Sequence, residues 1–181
     1  MTREQALELL QNHLHNKNLV KHCLAVEACM REFAAHFGLD PEPWGLAGLL
    51  HDLDYETTVD NPATHTEKTA EMLAEYSLDG EIIHAIKAHN LRVEPLSPMD
   101  HSLLTIDPAS GFIIACALMH PDRKLHSLDL PFLKKRFKEK SFAKGASREQ
   151  MAGCVKLGME LDEFLQLCLV AMQKSAAELG L

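Results

Sequence analysis

No Cys-x-x-Cys pair occurs in the 181 residues, and the five cysteines, Cys23, Cys29, Cys116, Cys154 and Cys168, are an odd number scattered through apolar stretches. That speaks against a disulfide framework or a thiolate metal knuckle. Buried, reduced thiols of a cytoplasmic protein are expected instead. No apolar run approaches the roughly 20 residues of a membrane-spanning helix, the longest being "GFIIACALM", so no membrane partner is expected. The N-terminal "MTREQALELLQNHL" has acidic and amide residues where a signal peptide has a basic region and an unbroken apolar core, and is expected to be mature sequence. A positive surplus is lacking too: the net charge of −8 argues against a general nucleic-acid coat or a polybasic membrane anchor, while small charged substrates stay open. Period-two alternation, internal repeats, low-complexity tracts and domain linkers are all missing.

What is present is helical periodicity, and it predicts a single all-α domain. Thr2 with Gln5 forms a capping-box pattern. Asn16 or Asn18 opens a second helix that stops at Gly38, with Leu19, Cys23, Val26, Met30, Phe33 and Phe37 on one stripe and His22 beside them. Pro41 and Pro43 suit the first turn of a third helix whose stripe Trp44, Ala47, Gly48 ends at His51. The segment after Asn61 and Pro62 places His65, Thr69, Met72, Leu73 and Tyr76 on one face, and a segment capped by Asp79 carries Ile82, Ile86 and His89. In "SLLTIDPASGFIIACALM" the residues Leu103, Asp107, Gly111, Ile114 and Leu118 align, and Pro108 predicts a kink or a fresh helix start with Asp107 near the cap. Three further helices are expected: after Asp129 and Pro131, after Ser147 with Gln150 as a second capping box, and from Leu161 to about Leu179. The loop from Asn90 to Asp100 is expected to rim the site.

Each inward histidine alone is an ordinary core residue bonded to a carbonyl. Together, His22, His51, Asp52, His65, His89 and Asp107 would require separate helical segments to satisfy buried ionisable groups independently, and one shared cationic centre satisfies them at once. Imidazole and carboxylate without thiolate suit Mn, Fe, Co, Ni or Zn, as one ion or two. Adjacent His51 and Asp52 point about 100° apart on a helix, so both bind only at a helix end or between two metals. The latter predicts Asp52 as a bridge, with His22, His51 and Asp107 on one ion and His65 and His89 on the other. A single ion would keep His22, His51, Asp52 and Asp107 and leave His65 and His89 to the substrate.

The order His22, then His51-Asp52, then His65, His89 and Asp107, with "GLLHDLDYE" and "AIKAHN", resembles the H…HD…H…H…D signature of the HD-domain superfamily of metal-dependent phosphohydrolases, in particular small stand-alone bacterial members. The likeness runs through nearly the whole chain, "KKRFKEKSFAKG" included, with Pro108 a departure. It implies an HD helical bundle, its metal-binding core at about residues 17–120 and additional C-terminal helices at about 121–181. It also implies hydrolysis of a phosphate mono- or diester of a small, nucleotide-like substrate by metal-activated water, with Asp52 catalytic and Asp107 or Asp54 taking or giving a proton. Asp54 and Glu56 also suit solvated loop acids. For substrate phosphate, Lys87 and Arg92 flank His89, and Lys135 and Lys138 lie in a stretch, Lys134 to Lys144, whose six basic residues against Glu139 give a local +5 in a chain otherwise at −13. That stretch also suits a solvated helix face. An HD-type di-iron oxygenase and a non-catalytic nucleotide-sensing domain are the alternative functions. Oligomeric state is left open.

Overall fold

The computed structural model describes residues 1–181 as an all-helical bundle without strands. Helix α1 spans Arg3–His13, α2 Lys17–His36, α3 Pro41–Leu50, the single turn α4 Tyr55–Thr58, α5 Glu67–Leu73, α6 Gly80–His89 and α7 Pro98–Met119. The C-terminal part adds α8 Leu130–Phe137, α9 Arg148–Ala152, α10 Leu161–Lys174 and α11 Ala176–Leu179, with short 3-10 turns between several of these.

The helix starts follow local chemistry. Thr2 and Gln5 close a reciprocal capping box on α1, Asn16 caps α2, Asp40 caps α3 ahead of Pro41, and Asp79 caps α6. Gly38, at φ +70°, ends α2 in the left-handed conformation that glycine adopts without cost. Helices α2 and α3 pack closely. Gly48 permits it, because a Cβ there would fall 2.9 Å from Glu27 Cα. All five cysteines are buried free thiols.

Helix α7 is the central element, flanked by α2, α6, α9 and α10. It runs unbroken through Pro108 instead of restarting there. The ring removes one backbone donor, yet the packing of Pro108 into the core holds the helix together around it. The expected inward line also drifts: Leu103 is fully buried while Leu118 is 53% exposed. Steps of four residues advance about 40° past a full turn on a 3.6-residue helix, so the line leaves the core whose deeper face is Ile106, Ala109, Ile113 and Cys116. Asp107 therefore stands at the boundary between core and solvent. Contrary to the sequence reading, α7 is long and apolar enough to cross a membrane by length and composition, with mean hydropathy 1.6 in its best window. Its interrupting polar residues hide that in a search for continuous runs, and neighbouring helices account for the apolarity here.

Two further expectations are corrected. His65 does not lie on a helical face; it is an extended residue ahead of Thr66, which takes φ +72° before α5 begins. The last helix divides at Ser175 into α10 and α11.

Candidate metal centre

The doublet His51-Asp52 falls where α3 has just ended: His51 is its C-terminal cap and residues 51–54 form turns. Leaving the helix frees the two side chains from the 100° separation that helical geometry imposes. His22 comes from the second turn of α2, His89 from the last residue of α6, Asp107 from α7 and His65 from the turn before α5. These six residues meet.

Asp52 is the hub. Its Oδ2 lies 3.5 Å from His51 Nε2 and 3.7 Å from His22 Nε2, and its Oδ1 lies 3.3 Å from His65 Nε2 and 3.7 Å from His89 Nε2. Asp107 Oδ1 is 3.0 Å from His22 Nε2 and 3.8 Å from His51 Nε2. The two oxygens of one carboxylate thus face two different groups of imidazoles, and two ligand groups, His22-His51-Asp107 and His51-Asp52-His89, have the proximity a cation requires.

All four imidazoles are oriented from behind through Nδ1. His51 Nδ1 donates to Gly48 O at 2.8 Å and His89 Nδ1 to Ile86 O at 2.5 Å. Ser110 gives its hydroxyl proton to Asp107 O at 2.9 Å, so it accepts from His22 Nδ1 at 3.1 Å. His65 Nδ1 donates to Asp54 Oδ1 at 2.7 Å. These bonds assign the protons to Nδ1 and leave four Nε2 lone pairs converging on carboxylates, with His22 and His51 Nε2 only 3.2 Å apart. A buried cluster of acceptors without donors is costly unless a cation sits among them. The donor set fits a divalent transition ion, and hard and borderline donors without sulfur exclude a thiolate-selected metal.

Charge states agree. Burial disfavours the charged form of His65, but the carboxylates of Asp52 and Asp54 overcome it and raise the pKa to about 9. Burial likewise opposes His22, and Asp107 and Asp52 raise it nonetheless. Burial and the nearby His89 push His51 down to about 4, keeping it neutral. Asp52 and Asp107 are held low by the surrounding histidines despite burial. With no metal, a proton on His65 takes the place of a cation.

Asp54 is not a solvated acid and does not face the cavity. Fully buried, it bonds His65 through one oxygen and accepts from Thr66 N and Thr69 N, at 2.8 and 3.1 Å, through the other. It caps the start of α5 from a distance and aims His65, which leaves it no free oxygen for the expected proton transfer. Glu56 accepts from the His15 and Asn16 amides and ties the entry of α2 to this region.

A cavity of about 440 Å³ opens onto His22, Asp52, His65, His89 and Asp107, bordered by Tyr55, Val59, Pro62, Asn90 and Gln150. Of the expected phosphate contacts, none borders it. Lys87 pairs with Glu67 at 2.7 Å and Arg92 donates to Pro62 O at 2.5 Å, so both brace the frame around His89. Lys135 is exposed on α8, and Lys138 lines a separate cavity described below. Gln150 was anticipated as half of a capping box; Ser147 does accept its amide, but the cavity wall is where Gln150 ends.

The family description "HD domain" matches residues 19–110, which takes in all six convergent residues. The chain belongs to the HD domain family, and so to a superfamily of metal-dependent phosphohydrolases. It is 25% identical over 152 residues to ribonuclease Y of Fervidobacterium nodosum, covering 84% of this chain and 28% of that one. It is 32% identical over 97 residues to ribonuclease Y 2 of Levilactobacillus brevis, 54% of this chain and 18% of the other. The chain thus spans less than a third of the length of these relatives. No solved structure matches it.

Proposed function

We propose that this protein hydrolyses a phosphate ester of nucleotide-like character, with Asp52 bridging two divalent transition ions. His22, His51, Asp52 and Asp107 would hold one ion, and Asp52, His65 and His89 the other. The observation that carries this is the split of the Asp52 carboxylate between two sets of Nε2 lone pairs. When bound, such ions supply Lewis acidity toward phosphoryl oxygens and bring the pKa of water down to about 7.

The chain's own residues supply the rest. Asp107, ionised and partly open to the cavity, would take the proton from the attacking water as the P–O ester bond breaks, and return it to the departing alkoxide oxygen. Asn90 and Gln150 offer amide donors to the non-bridging oxygens, and Tyr55, Val59 and Pro62 form a wall against which a sugar or base can lie. The relatives carry the name ribonuclease Y, which favours a diester over a monoester as the bond attacked.

The test is hydrolysis of bis-p-nitrophenyl phosphate and p-nitrophenyl phosphate by protein purified without chelator and supplied with Mn or Ni. Turnover of the diester, lost in His51→Ala, is expected. No turnover of any ester, together with two irons per chain and oxygen consumption on an organic substrate, would overturn the proposal in favour of an oxygenase.

A further inference from the structure

The segment after α8 is folded around one side chain. Arg148 donates to the carbonyls of Phe142 at 2.7 Å, Ala146 at 2.8 Å, Ala143 at 3.0 Å and Phe137 at 3.5 Å. Its guanidinium also lies 4.7 Å from the ring centre of Phe112 on α7. A single cation therefore pins the loop from Phe137 to Ala146 against the central helix, with Ala143 held at φ +45°.

What that fixed loop presents outward is charge. Lys138, Lys140 and Lys144 are exposed and none makes an ion pair, whereas Lys134 pairs with Asp162 and Arg136 with Glu139. The three unpaired lysines line a cavity of about 730 Å³ with Phe137 and Arg148, with Glu149 its one acid. That cavity shares Ala146 with a second, of about 330 Å³, whose wall includes Gly145, Gly111, Pro108, Asp107 and His22. The two cavities thus meet at Ala146, the one lined by metal-centre residues and the other by the lysine rim, in a protein of net charge −8. Three unpaired cations lining one cavity make a local positive field that attracts a polyanion there, even on a protein of net negative charge.

We propose that this rim is a second anion site whose three lysines hold further phosphates, about one each, of a linear phosphate chain whose scissile phosphate lies over Asp52. The inference rests on the phosphohydrolase reading for the scissile end and names the substrate class: an oligonucleotide strand or a polyphosphate, in preference to a mononucleotide. Single strands are tracked through their backbones by such grooves.

The test is binding of a fluorescein-labelled octadeoxythymidylate by anisotropy, with unlabelled thymidine monophosphate, inorganic polyphosphate and a glutamate decapeptide as competitors. Wild-type protein is expected to prefer the octamer to the mononucleotide by at least tenfold. In the Lys138→Ala/Lys140→Ala/Lys144→Ala variant that preference falls about tenfold, and the slope of log affinity against log salt flattens by about 2, near 0.7 per lost phosphate contact. Competition by polyphosphate equal to that of unlabelled octamer assigns the site to phosphate chains in general; weaker competition assigns it to nucleic acid. Equal affinity for octamer and mononucleotide, an unaltered triple variant, or equal competition by the glutamate peptide would overturn it. Hydrolysis of bis-p-nitrophenyl phosphate is measured alongside: its absence in wild type counts against the phosphohydrolase reading, while length-independent binding counts against the lysine rim alone.

Discussion

Helix α2 carries two buried polar clusters that solve the same problem in opposite ways. Around Glu27, one carboxylate accepts from Arg3 Nε at 2.7 Å, Arg3 Nη2 at 3.0 Å and Arg31 Nε at 2.8 Å, and the chain of charges continues outward to Glu42 and Glu178. Donors and acceptors balance there. Around His22, less than two turns earlier, four imidazoles are pinned as donors on their far sides and turn Nε2 toward Asp52 and Asp107, where only a metal ion or an added proton can balance the acceptors. Burial is common to both; the count of donors separates a structural brace from a centre that needs a cation.

The largest effect expected from that contrast is catalytic. Asp52→Asn is expected to lower turnover of bis-p-nitrophenyl phosphate by at least about 10³-fold, since the negative charge at the hub of the cluster is replaced by a neutral amide. Glu27→Gln is expected to leave turnover of the folded protein within about twofold, because it removes no group near the cavity.

Acidity comes next. In protein stripped of metal, His65 has a folded pKa of about 9 against 6.5 unfolded, so its contribution is fully present below about pH 6.5 and is lost as pH rises through 9. His51, depressed to about 4, acts in the other direction: stability is present above pH 6.5 and is lost as pH falls toward 4, because the unfolded chain takes up the proton first. Each is worth about 3 kcal/mol over its window. Urea unfolding of metal-free protein from pH 4 to pH 10 is expected to show losses on both flanks, with the alkaline loss reduced in Asp54→Asn, where Asp52 still raises His65, and abolished by added metal.

For stability at neutral pH, Glu27→Gln is expected to cost about 2 to 3 kcal/mol. That is less than the roughly 3–5 kcal/mol of a wholly buried pair, since both guanidiniums reach solvent. Denaturant titration checks it. The smallest effect belongs to Asp54→Asn, which still bonds His65 but orients it less firmly; metal affinity is expected to fall about 10- to 100-fold, measured by calorimetric titration.

Much of this was legible in the sequence. The periodic stripes gave the helices, and the positions of His22, His51, Asp52, His89 and Asp107 at the ends or edges of those stripes pointed to a common centre. His65 was found for a partly wrong reason, as a helical residue, because nothing in the sequence shows that Thr66 takes a left-handed turn. The parts that escaped depend on contacts between distant segments. Asp54 looked like an acid after a helix end, and only the arrival of Thr66 and Thr69 buries it. Ser110 carries no pattern of its own, the capping pattern of Gln150 says nothing of the cavity, and Lys87 and Arg92 seemed free until the structure supplied Glu67 and the Pro62 carbonyl.

The most direct measurement is metal content with its effect on stability. Protein prepared without chelator is analysed for transition elements, then melted with and without Mn at about a thousandfold excess over its dissociation constant, where linkage gives about 4 kcal/mol, or roughly 10 °C for a chain of this length. The account predicts bound transition ions and that rise in wild type and in Glu27→Gln, and neither in Asp52→Asn. A wild-type chain that carries no transition ion and melts at the same temperature with metal as without would contradict it.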